Sequence, residues 1–169
     1  MSTNTMSKTG LSQVTKNNNN NNNTVISYIL LVAPIILGMG SGYFVSRKKI
    51  PKVKSPFKPP SWLFGVVWPI LYLLLGYSSY IIWNSSVVDT KTKILYLFLY
   101  AIQVILVISW WPYFIYFPNK LFATITLILL AIFAGVVALL FFTIVPRAAY
   151  CLIPYVIWLS FASFLTSQT

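Results

Sequence analysis

Charges in this chain fall only between apolar runs. The charge-free windows are residues 17–46, 59–88, 94–119, 121–146 and 148–169. Each is long enough to cross a hydrocarbon core about 30 Å thick, which takes roughly 20 helical residues. A Lys or Arg at the centre of such a helix costs about 2.5–3.5 kcal/mol on insertion scales, so the exclusion is the mark of a lipid solvent. The pattern predicts an all-α membrane protein, a bundle of five transmembrane helices at about 24–46, 61–84, 93–113, 121–143 and 146–166. Pro146 suits the first turn of the last helix. Pro112 is expected to end or kink the third. Residues 1–23 are polar and close on the run Asn17–Asn23. With nothing to bury, they read as a disordered tail ahead of one membrane domain, 24–169, and show no cleaved signal peptide.

Three of these helices carry aromatic stripes at 100° per residue. On the second, Trp68, Tyr72, Leu75, Ser79 and Trp83 share a side. On the third the stripe is Tyr96, Tyr100, Gln103, Val107, Trp110 and Phe114, and on the fifth Cys151, Tyr155, Trp158, Ala162 and Leu165. Such stripes are either core and interfacial anchors or the walls of a binding hollow. Trp62, Trp83 and Trp111 suit the anchor role. Trp68, Tyr72, Trp110 and Trp158 suit either. A flat apolar ligand among the second, third and fifth helices would fit walls of this kind, with a few hydroxyl and amide groups between rings.

Composition narrows the chemistry. Hydrophobic residues make up 58% of the 169 and charged residues 8%. There is no His, one acid (Asp89) and one cysteine (Cys151). Those counts argue against a carboxylate pair, an imidazole base, a metal site, an intrachain disulfide or a mid-span proton relay, so no catalytic residue, metal or cofactor is expected. The net charge of +11 is concentrated: Arg47, Lys48, Lys49, Lys52, Lys54 and Lys58 sit in one proline-rich loop. Beside a membrane span, such a cluster signals topology and anionic headgroups rather than nucleic acid. It predicts that this loop and the C-terminus face the cytosol. Gly38 and Gly42 form a GxxxG pair, read either as a packing seam within the bundle or as the seam of a homodimer.

The stretch Pro59-Pro60-Ser61-Trp62-Leu63-Phe64-Gly65-Val66-Val67-Trp68-Pro69-Ile70-Leu71-Tyr72-Leu73-Leu74-Leu75-Gly76-Tyr77 resembles the translocator protein family (TspO/MBR, the peripheral-type benzodiazepine receptors). Gln103 with Trp110-Trp111-Pro112, and Pro154-Tyr155 with Trp158, Phe161 and Ala162, extend the likeness over most of residues 24–166. The resemblance implies a five-helix bundle with a cytosol-facing pocket that binds porphyrins, sterols or synthetic benzodiazepine and isoquinoline ligands. It places Trp68, Tyr72, Trp110, Trp158 and Ala162 in that pocket, with Pro59 and Pro60 at the loop end that closes it. It further implies a mitochondrial outer membrane location, or a membrane of the endoplasmic reticulum and secretory route.

Departures from the family pattern shape the expectation. Val107 and Ile108 stand where many members have Asn-Trp, and Thr126 where many have Asp. No L/V-x-Y-x-K/R sterol segment follows the fifth helix in this sequence, which weakens the sterol reading. Without His, a porphyrin would be held by stacking rather than through its metal. The function expected is that of a non-enzymatic receptor or carrier for hydrophobic rings. Tryptophan-dependent porphyrin breakdown and a partner-docking structural role are the alternatives.

Overall fold

The structure, a computed structural model, describes residues 3–46, 60–116 and 119–168. Five helices follow in order: α1 Thr3–Ser46, α2 Ser61–Asn84, α3 Thr90–Tyr116, α4 Lys120–Phe142 and α5 Pro146–Ser167. All five contain a stretch long and apolar enough to cross a membrane, in α1 the part Asn21–Tyr43. The fold is therefore the expected five-helix membrane bundle. The basic loop from Arg47 to Lys58, with its prolines and Pro59, lies outside the described residues, as do Phe117, Pro118 and the side chains of Trp111 and Pro112.

Two boundaries differ from expectation. α1 begins at Thr3 rather than near Thr24, so residues 3–23 of the segment read as a disordered tail are helical. Once the apolar part has nucleated, each further residue gains a hydrogen bond for one residue ordered. No proline interrupts the chain before Pro34. α3 likewise runs past Pro112 to Tyr116. Pro34, Pro69 and Pro154 also sit inside helices. Lipid offers no alternative partner for backbone groups, so a membrane helix tolerates a proline and continues.

Local caps mark the turns. Asp89 Oδ2 accepts from the Thr92 backbone N–H at 3.0 Å, closing the first turn of α3. Asn119 Oδ1 accepts from Phe122 N–H at 3.1 Å and does the same for α4. α5 opens on Pro146, whose missing N–H would have gone unused in the first turn.

The helices close into a ring: α1 packs on α2 and α3, α2 on α5, α5 on α4, and α4 on α3. The outer faces remain apolar, with Ile36, Leu73, Ile105, Leu129 and Ile157 all exposed. In water such a surface would aggregate; in lipid it is the solvated face. Small residues and polar side chains join the helices. Gly38 is buried, and a Cβ there would overlap the ring of Tyr72. At Gly76 a Cβ would overlap the carbonyl oxygen of Leu31. Of the two readings of the GxxxG pair, Gly38 thus serves the seam inside the bundle, while a Cβ on Gly42 would meet nothing within 4 Å. Ser79 Oγ donates to the Leu30 carbonyl at 3.2 Å, and Ser78 Oγ to the Ala148 carbonyl at 2.8 Å, tying α2 to α1 and to α5.

Candidate ligand site between the second and fifth helices

The described residues of the three aromatic stripes face mainly inward, the side chain of Phe114 lying outside them. Trp68, Tyr72, Leu75 and Ser79 of α2 are buried, as are Tyr100, Gln103, Val107 and Trp110 of α3 and Tyr155, Ala162 and Leu165 of α5. Trp62, by contrast, is 65% exposed at the start of α2, where an interfacial anchor belongs.

α2 runs in and α5 runs out at the same end of the bundle, so their residues can be placed by depth. At 1.5 Å per residue, Trp68 lies about 10 Å from the start of α2 and Tyr72 about 16 Å. Counting back from the end of α5, Trp158 lies about 14 Å deep and Tyr155 about 18 Å. Gln103, counted from the end of α3, comes at about 20 Å. These residues form a column that begins near Pro60 and ends mid-membrane.

Ring contacts run along the column. Phe64 meets Trp158 edge-on at 5.6 Å between centroids. Trp158 stands perpendicular to Trp68 at 6.5 Å, and Trp68 stacks on Tyr72 at 5.6 Å. Phe161 lies 5.5 Å from Trp158 on the same helix. Below the rings, Gln103 Nε2 donates to Tyr155 Oη at 3.0 Å and to the Leu130 carbonyl at 3.5 Å. Aromatic walls thus stand over an amide–phenol floor shared by α3 and α5.

Trp68 is 6% exposed and Tyr72 2%, their rings stacked on one another. Trp110 is buried, but its Nε1 donates to the Ala123 carbonyl at 3.5 Å, which turns the indole N–H toward α4. Pro60 is exposed and leads into α2, its carbonyl accepting from Leu63 N–H at 3.0 Å. Ala162 is buried one turn beyond Trp158. Pro59 lies outside the described residues.

Phe64, Gln103, Tyr155 and Phe161 join the column although the resemblance did not assign them to the pocket. Gln103 carried a usable signal, because a carboxamide inside a membrane span is costly unless it bonds or binds. Phe64 carried none, since nothing local separates it from the other apolar residues of α2.

Among the buried polar atoms without a hydrogen-bond partner in the described residues are Tyr72 Oη, Gln103 Oε1 and Trp158 Nε1. Native cores leave few such atoms, and those they leave ask for water, an ion or a ligand. No group of three or more metal-ligating side chains occurs among the described residues. What the column offers is stacking surface plus isolated donors and acceptors.

Residues 30–169 match the TspO/MBR family. The chain is 36% identical to the translocator protein of Bos taurus over 112 residues, 66% of each chain. It is 34% identical to that of Ovis aries over 130 residues, 77% of this chain and 74% of the relative. With the tryptophan-rich protein TspO of Chlorobaculum tepidum it shares 32% identity over 117 residues, 67% of this chain and 71% of the relative.

Proposed function

The chain belongs to the TspO/MBR family, and from that premise we infer that it is a membrane receptor or carrier for flat hydrophobic ring compounds, porphyrin or sterol, held between α2 and α5. The observation that carries this reading is the Trp68–Tyr72–Trp158 ring column with unmet polar atoms at its lower end. Relatives named translocator proteins support a role in moving or buffering such a ligand.

Binding would come from apolar area, about 25 cal/mol per Å², together with stacking on Trp68 and Trp158. The ligand would take the place that the rings now give one another. The cationic loop from Arg47 to Lys58 would meet acidic substituents of a porphyrin at the mouth. Titration of purified protein with protoporphyrin IX, followed by tryptophan quenching, tests this. Trp158→Ala should weaken binding about tenfold or more. Unchanged affinity in both Trp68→Ala and Trp158→Ala would remove the site.

The role is that of a binder rather than an enzyme. The clustered, oxidisable indoles favour a second reading, tryptophan-dependent porphyrin breakdown. Loss of porphyrin absorbance under illumination and not in darkness would select that reading. The membrane proposed is the mitochondrial outer membrane, with the endoplasmic reticulum as the alternative; cell fractionation decides between them. Self-association along the Gly38–Gly42 face would have to run on Gly42, because Tyr72 covers Gly38. Crosslinking of Gly42→Leu against the wild type would show it.

A further inference from the structure

Gln103 places a requirement on the ligand that stacking alone does not. Its side chain is 1% exposed and stands mid-membrane at the floor of the column. Its amide orientation is fixed by its neighbours. Nε2 lies 3.5 Å from the Leu130 carbonyl oxygen, which can only accept, so the nitrogen must be the atom facing it. The same nitrogen donates to Tyr155 Oη at 3.0 Å. Both amide hydrogens are then used, and Oε1 is left with no partner among the described residues.

A carboxamide oxygen accepts and never donates. The group that completes Gln103 must therefore bring a hydrogen. Higher in the column, Trp158 Nε1 can only donate, and Tyr72 Oη can do either. The floor asks for a donor, while the walls above can serve an acceptor. Resting on the binding reading above, we propose that Gln103 determines specificity: the site selects hydrophobic ring compounds whose leading end carries an O–H or N–H, and discriminates against the same compounds with that hydrogen replaced. A site built to hydrogen-bond a polar hydrogen rejects an analogue without one, because its own buried group is left unmet.

Two matched pairs test this: cholesterol with its 3-methyl ether, and haematoporphyrin with the dimethyl ether of its two hydroxyethyl groups, which keeps both carboxylates for the mouth. Dissociation constants are measured on the full chain in detergent, for the wild type, Gln103→Met and Trp158→Ala. In the wild type the hydrogen-bearing member of at least one pair should bind about tenfold tighter. In Gln103→Met that preference should shrink to within about twofold. Trp158→Ala should weaken both members of the pair alike and leave the preference standing.

Equal affinities within both pairs in the wild type overturn the proposal. So does a preference that persists in Gln103→Met, since a group other than Gln103 then reads the hydrogen. If Gln103→Met does not fold, the wild-type comparison decides alone. Tight binding without preference overturns only the role of Gln103. Failure of all four compounds to bind the wild type overturns the binding reading as well.

Discussion

At the scale of single residues, this protein is decided by atoms with no room and atoms with no partner. Gly76 is the clearest case of the first. A Cβ there would overlap the Leu31 carbonyl oxygen and lie 2.8 Å from its carbon, and backbone cannot swing aside as a side chain can. Gly76→Ala should therefore destabilise the bundle by about 1–3 kcal/mol, read by thermal unfolding in detergent. Gly135→Ala, where nothing stands within 4 Å, serves as control and should change stability by no more than about 0.5 kcal/mol. Asp89 is a residue whose charge matters to structure. Its carboxylate accepts from Thr92 at the head of α3, which holds its pKa below the usual 3.8. A depressed carboxyl pKa contributes stability that is present above the unfolded value and is lost as pH falls through the folded one. The stability gap between wild type and Asp89→Ala should thus be constant near neutral pH and close as the solution is acidified below about pH 4. A gap independent of pH would show that the cap adds nothing through its charge.

Between elements, the bundle relies on a few polar contacts, because lipid supplies no hydrophobic force to press apolar helices together. Ser78 to Ala148 joins α2 to α5, and Ser27 Oγ to Asn84 Oδ1 at 3.1 Å joins α1 to α2. Ser78→Ala should cost about 0.6–2 kcal/mol in unfolding experiments, with the loss falling on the α2–α5 pairing that carries the ring column. Ligand affinity should fall with it, since the column depends on that pairing. The element scale also explains why helix ends were harder to place than helix middles. The middles follow from charge exclusion, which is local and steep. At the ends, helix propagation competes with polar solvation within fractions of a kcal/mol, so α1 could extend to Thr3 and α3 to Tyr116.

For the molecule as a whole, the closed ring of helices encloses the contacts of Trp68 with Tyr72 and Trp158. A ligand bound among them should stabilise the protein. At a concentration one hundred times its dissociation constant, a ligand specific for the folded state adds about 2.7 kcal/mol. Protoporphyrin IX should accordingly raise the unfolding temperature of the wild type and leave that of Trp158→Ala far less changed. An equal rise in both proteins would place the bound porphyrin somewhere other than the column.

The sequence by itself determined that this chain lives in lipid, that it crosses five times, and that its aromatic stripes face inward. Those conclusions rest on solvent rules that each residue obeys alone: charge is excluded from hydrocarbon, and helical periodicity puts Trp68 and Tyr72, or Tyr155 and Ala162, on one face. The motif at Pro59–Tyr77 carried the family in the same local way. Only the tertiary structure decided that Trp110 turns to Ala123, that Gly38 is covered by Tyr72, and that Gln103 spends its nitrogen on Leu130 and Tyr155 while its oxygen stays unmet. Each of those facts joins residues far apart in the chain. Which partner a side chain finds depends on how the helices settle against one another, and no local pattern records that.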